Sequence, residues 1–221
     1  MPKGHVGVLT IGQSPRMDVT PAIQSILGSE IQITESGGLN SLTDETIHSI
    51  APRETEITYI SRLRNGSSVK IGKDKLLPLL QKELWRLEEK TDIIIMLCTG
   101  DFPALETSKP IIFPDKVLNH TIKAISSGSL GLIIPLEEQR NSLVKKWNQH
   151  NLHIITEVAS PYEESDVKGA AKALKMRGAE IIVLDCMGYN MLHKQDAAEG
   201  SGLPVILPRT LVARIAAEYV S

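Results

Sequence analysis

Two cysteines, and only two in 221 residues, occupy matching places in two matching stretches. Asp92-Ile93-Ile94-Ile95-Met96-Leu97-Cys98-Thr99-Gly100 lies over Glu180-Ile181-Ile182-Val183-Leu184-Asp185-Cys186-Met187-Gly188. Each has an acid six residues before the cysteine, an apolar run, and a glycine two residues after it. Read as buried parallel strands, the runs bring each thiol to a strand's carboxyl end, where open α/β sheets bind ligands. Two thiols on related half-molecules suit a reaction in which one face of a substrate loses a proton and the other gains one. A single cysteine closing an apolar strand is more often a small buried hydrophobe. Core packing, however, gives no reason for sulfur at both equivalent positions. The backbone N–H groups of Thr99-Gly100 and Met187-Gly188 are candidate donors to a thiolate. No CxxC and no nearby histidine completes a metal site, so no metal is expected. His193 follows the second cysteine closely without being needed by this chemistry, and the spacing of His150 and His153 is poor evidence for a metal.

A second group opens the chain. Thr10-Ile11-Gly12-Gln13-Ser14-Pro15-Arg16 reads as a strand end, a glycine turn and a helix start. Ser14 suits the cap and Pro15 the first helical position. A helix N-terminus there favours an anion, and Arg16 can grip a carboxylate with two hydrogen bonds. An ordinary capped helix with a solvated arginine fits the same residues equally well. The segment lacks the GxGxxG of a dinucleotide site. Further on, Ser61-Arg62-Leu63-Arg64-Asn65-Gly66 is a basic turn. Arg62 and Arg64 could close over a ligand as a lid, against the plainer reading of a solvated surface turn.

The elements that must position these residues alternate. Short β-branched runs (6–11, 31–35, 93–97, 130–134, 152–157, 181–184, 204–207) are separated by helical stretches (15–27, 43–50, 73–90 with an interruption near Pro78, 115–126, 136–150, a Ser160-Pro161 start ending at Gly178, 210–220). This is the pattern of a mainly parallel sheet. His5-Val6-Gly7-Val8 resembles Ser129-Leu130-Gly131-Leu132, and an arginine follows each glycine by nine residues, Arg16 and Arg140. Gly7 to Cys98 spans 91 positions and Gly131 to Cys186 spans 55, so the first copy carries an insertion at about 37–72. Two similar α/β lobes are expected: 1–105 plus 205–221, and 106–204.

Composition excludes several classes. A net charge of -2 gives no electrostatic case for nucleic acid or an anionic membrane, and 4% aromatics make a base-stacking platform improbable. No apolar run approaches the roughly 18 residues of a membrane span. Met1-Pro2-Lys3-Gly4-His5 leads into a strand without a signal peptide's apolar stretch, so a cytoplasmic address with reduced thiols is expected.

On Thr10–Arg16, Cys98-Thr99-Gly100 and Leu184-Asp185-Cys186-Met187-Gly188, the chain resembles the AroM family, a branch of the Asp/Glu/hydantoin racemase superfamily. The resemblance implies two flavodoxin-like α/β halves with an active-site cleft between them, and a homodimer. It implies Cys98 and Cys186 as an acid/base pair. It also implies a substrate pocket from Gln13, Ser14, Arg16, Thr99, Gly100, Met187, Gly188 and Tyr189. Related proteins racemise amino acids, isomerise maleate or decarboxylate arylmalonates. The neighbours depart from glutamate racemases: Gly12-Gln13 stands in place of their Asp-Ser pair, and Tyr189 lies where they carry a histidine. Those departures point away from Asp or Glu as substrate. The expectation is a cofactor-independent isomerase-type enzyme acting on a small carboxylate. The alternatives are a related decarboxylase and a non-catalytic protein that binds or senses a small carboxylate of aromatic amino-acid metabolism. A redox sensor using the two thiols is a further alternative.

Overall fold

The computed structural model describes residues 4–54, 56–125, 128–147 and 152–220. The expected helix ends at Ser126 and His150 lie outside these residues. The chain forms two compact units, one running to Asp115 and taking in the chain from Arg209 on, the other Lys116–Pro208.

In the first unit the strands are β1 (Gly4–Thr10), β2 (Ile31–Gly37), β5 (Ile93–Leu97) and β6 (Ile111–Ile112), and the intervening elements are α1 (Thr20–Leu27), α2 (Asp44–Ser49), the hairpin β3 (Thr58–Arg62) and β4 (Ser68–Gly72), and α3 (Lys73–Glu88). The sheet has the order β2-β1-β5-β6 and is parallel throughout. β5 is buried along its whole length, which is why it reads as an unbroken apolar run. The helix α3 turns Leu76, Leu80, Leu84 and Leu87 inward at helical spacing, onto Leu9, Ile94 and Met96. Each such leucine contributes about 1.5–3 kcal/mol through burial. The expected interruption at Pro78 does not occur. Pro78 faces solvent, so the helical carbonyl it leaves without a donor lies on the wet side.

The second unit holds α4 (Pro114–Ile125, starting at the boundary), β7 (Ser129–Ile134), a 3-10 turn at Glu137–Gln139, α5 (Arg140–Trp147), β8 (His153–Val158), α6 (Val167–Met176), β9 (Ile181–Leu184), α7 (Met191–Ser201) and β10 (Val205–Ile206). Its sheet has the order β10-β9-β7-β8, again parallel. Read from the other edge, this is the order of the first sheet, with β7 in the place of β1 and β9 in the place of β5. The last helix, α8 (Pro208–Val220), belongs to the first unit.

The duplication extends to particular contacts. Gly7 and Gly131 each stand where a Cβ would press on the residue two before the third strand, Thr91 or Ala179. The acid six residues before each cysteine sits at the foot of the first strand. Asp92 accepts the His5 N–H at 2.8 Å, and the Glu180 N–H reaches the Ser129 carbonyl at 2.9 Å. The insertion is α2 plus the β3–β4 hairpin.

Three expectations need correction. The last strand, assigned with the first lobe (205–221), pairs instead with β9, and only the helix returns. Likewise 106–115 stays with the first unit, where Ile111 and Ile112 pair with Ile94 and Ile95. The helices expected at Pro15 and Ser160 begin later, at Thr20 and Val167. Ser-Pro is as good a loop signal as a helix signal, and here distant side chains satisfy the backbone that a helix would otherwise pair. The Ser14 N–H goes to Asn40 and the Arg16 N–H to Glu35.

Candidate active site

Cys98 is the first residue after β5 and is partly buried. Its sulfur accepts the Gly100 N–H at 3.3 Å. Tyr59, carried by the inserted hairpin, packs against that glycine: a Cβ on Gly100 would come 2.4 Å from the ring. The Tyr59 hydroxyl donates to the Asp101 carbonyl at 3.2 Å. Burial, then the negative charges of Cys98, Asp101 and Asp115, hold this phenol well above its usual range, so it remains protonated. Thr99 is buried beside the sulfur's loop.

The loop after β1 is tied into the same unit. The Ser14 hydroxyl accepts from Asn40 Nδ2 at 2.8 Å, and Gln13 Oε1 accepts the Arg64 N–H at 3.0 Å. Arg64 Nε donates to the Ser14 carbonyl at 2.5 Å. Gly12 lets the hairpin approach, since a Cβ there would meet Ser61 and the Arg62 carbonyl at 2.5 Å. The basic turn is therefore tied to the loop through Arg64, while Arg64 to Ser68 stay exposed to solvent.

Arg16 is turned inward, with only 2% of its surface exposed. Its Nε and Nη2 donate to the two Asp18 carboxylate oxygens at 2.8 Å each, and its Nη1 donates to Thr10 and Ser61. Arg209, equally buried, donates to the Asp18 carbonyl at 2.7 Å. Burial pushes the Asp18 carboxyl up, but the Arg16 hydrogen bonds and charge, with Arg62 adding to them, outweigh it and hold it below the ordinary value. The guanidinium fork that was expected to grip a substrate carboxylate is thus engaged by the chain's own aspartate.

In the second unit Cys186 follows β9 within a wholly buried stretch. Its sulfur accepts the Gly188 N–H at 3.4 Å, the same geometry as at Cys98. A tyrosine again covers the glycine: a Cβ on Gly188 would come 2.6 Å from the Tyr162 ring, whose hydroxyl stands 3.7 Å from the Cys186 sulfur. Tyr189 is fully buried and donates to the Ala159 carbonyl at 2.6 Å. Burial foremost, then the charges of Cys186 and Asp185, raise its phenol well above the usual value. Tyr189 therefore shapes this loop from within. Asp185 is clamped by Trp147 Nε1 at 2.8 Å and Lys146 Nζ at 3.2 Å, which fixes the base of the cysteine loop to α5. The His193 ring accepts the Asn190 N–H to cap α7, and its edge meets Tyr189. Met187 is buried in the same loop.

Four residues of this arrangement escape sequence reasoning: Asn40, Asp18, Tyr59 and Tyr162. One signal was present. The chain has only four tyrosines, and three of them gather at the cysteine loops. Among the described residues no group of three or more His, Cys, Asp or Glu side chains could hold a metal ion. No described helix is long and apolar enough to cross a membrane.

Two parallel sheets of one strand order, each ending its third strand in a cysteine loop, define an α/β protein of the Asp/Glu racemase-like fold. Solved structures agree. An arylmalonate decarboxylase aligns with a TM-score of 0.62 at 12% identity, over 98% of this chain and 92% of that one. Glutamate racemase from Francisella tularensis, solved with D-glutamate, aligns at 0.60 and 13% identity, over 100% and 82%. Nocardia farcinica maleate cis-trans isomerase, bound to Tris, aligns at 0.60 and 12%, over 95% and 89%. The chain belongs to the AroM protein family, whose profile matches residues 6–220. No curated protein matches it.

Proposed function

We propose that this protein is a cofactor-independent enzyme that moves a proton on the carbon next to a small substrate's carboxylate, with Cys98 and Cys186 as proton carriers. The observation that supports this reading is recurrence. In each unit a sulfur at a strand's carboxyl end accepts the N–H of the glycine two residues on, and a tyrosine ring covers that glycine. A sulfur that must become anionic gains from a fixed N–H donor, and neither repeated feature is needed merely to fill a core.

In this reading one thiolate takes the α-proton: the C–H bond breaks, an S–H bond forms, and the electron pair passes into the enolate. The other thiol returns a proton. The developing charge is met by preorganised donors. Ser14 suits that task, because its oxygen accepts from Asn40 while its own proton remains to be donated. With Arg16 committed to Asp18, its charge acts through the electrostatic field rather than by direct contact. Loss of carbon dioxide in place of the α-proton would make the same residues a decarboxylase.

The test is α-hydrogen exchange in D₂O, followed by proton NMR across a panel of small carboxylic acids. Exchange of at least one acid is expected, slowed about a hundredfold to ten-thousandfold by Cys98→Ser or Cys186→Ser. Absence of exchange with every acid that shifts the melting temperature would refute proton abstraction. If that binding also survived both substitutions, the protein would be a carboxylate binder.

A further inference from the structure

The tyrosines that cover the two cysteine loops use their hydroxyls differently. Tyr59 gives its proton to the Asp101 carbonyl, at 3.2 Å. Tyr162 has its hydroxyl 3.7 Å from the Cys186 sulfur, within hydrogen-bond range for sulfur. Tyr162 is placed there by a loop, not a helix. The Ser160 hydroxyl accepts the Tyr162 N–H at 3.2 Å, and the Ser160 carbonyl accepts the Ser165 hydroxyl at 2.7 Å, closing a compact turn ahead of α6. Gly188 completes the placement, since no larger residue would let the ring lie where it does.

We propose that Tyr162 is the positioning residue of Cys186: its phenol donates to the sulfur, favours the thiolate, and aims it as the base that takes the substrate proton. The base assignment rests on the reaction proposed above, whereas the hydrogen bond does not. Ionisable groups on or next to this loop include Asp185, Tyr189, Lys146 and His193. The Asp185 carboxylate opposes a second negative charge, but it is paired with Lys146 and Trp147. The Tyr189 hydroxyl donates to the Ala159 carbonyl, and the His193 ring accepts the Asn190 N–H. The Tyr162 hydroxyl stands within hydrogen-bond range of the sulfur and either atom of that pair can donate; in the proposed arrangement the phenol does.

The experiment uses the full chain carrying Cys98→Ser, so that Cys186 is the single thiol. Its iodoacetamide alkylation rate is measured from pH 5 to 10. Tyr162→Phe keeps the ring on Gly188 and removes only the hydroxyl. The alkylation midpoint is expected to rise by about one pH unit, a roughly tenfold loss of thiolate below the midpoint. Gly188→Ala, which drives a methyl into the ring, should raise it in the same direction with Tyr162 intact. An unchanged or lowered midpoint in a Tyr162→Phe protein with unaltered circular dichroism overturns the proposal. With Cys98 restored, Tyr162→Phe should lower kcat for α-hydrogen exchange about tenfold with little change in KM. A raised midpoint without any exchange activity in the unmutated protein would leave Tyr162 as the partner of Cys186 and discard the enzyme reading instead.

Discussion

Asp18→Asn isolates one interaction. Arg16 is almost wholly buried and its fork closes on both Asp18 oxygens, whereas the aspartate retains some exposure. Removing one partner of a buried, hydrogen-bonded ion pair costs about 3–5 kcal/mol, mostly because the other charge is left uncompensated. The lower end applies here. Asparagine keeps one acceptor, and Arg16 keeps Thr10 and Ser61. A loss of about 3 kcal/mol corresponds to roughly 6–12 °C in Tm for a chain of this size. The pH dependence follows from the direction of the Asp18 shift. Its folded value lies below the ordinary 3.8, so its contribution is present in full above that value and is lost as pH falls through the lower, folded one. Urea unfolding followed by circular dichroism at pH 7, 5, 4 and 3 should therefore show a constant gap between the natural protein and Asp18→Asn down to about pH 4, then a narrowing gap. A variant as stable as the natural protein at pH 7, or a gap of the same size at pH 3, would refute the claim that the carboxylate carries the Arg16 charge.

Other perturbations separate the remaining elements. Gly100→Ala should displace the Tyr59 ring, costing about 1–3 kcal/mol by overpacking, read from the urea midpoint; an unchanged midpoint would show that the contact is loose. Trp147→Phe removes the indole N–H that holds Asp185 and should cost about 1.5–3 kcal/mol, measured by the same method. Arg64→Ala releases the hairpin turn from the Ser14 carbonyl and should speed limited proteolysis within residues 62–68 up to about tenfold at neutral pH. An unchanged cleavage rate would mean that other contacts hold the turn.

Much of this architecture is written locally. The inner strands β5, β7 and β9 are near-continuous apolar runs that only a doubly covered sheet buries, and their spacing exposes both the repeat and the insertion. The two cysteine loops were legible for the same reason, because a repeated strand end carries a repeated residue. The loops preceding the helices were not legible. Ser14-Pro15 and Ser160-Pro161-Tyr162 satisfy every local rule for a helix start, yet Asn40 and Glu35 take the N–H groups of Ser14 and Arg16, and the Ser160 side chain takes that of Tyr162.

The order of residues by itself determined the main parallel strands, where the thiols fall along them, and that the unit is used twice, since all three depend on periodicity along the chain; the hairpin and the two-residue β6 were not legible in this way. Only the tertiary structure decided that Arg16 is spent on Asp18, that the basic turn is tied to the first loop, and that Tyr59 and Tyr162 cover the two glycines. Apart from the Arg16–Asp18 pair, which closes within one loop, those contacts join residues from separate elements. Burial and the direction of a hydrogen bond arise only after the sheet has brought those elements side by side.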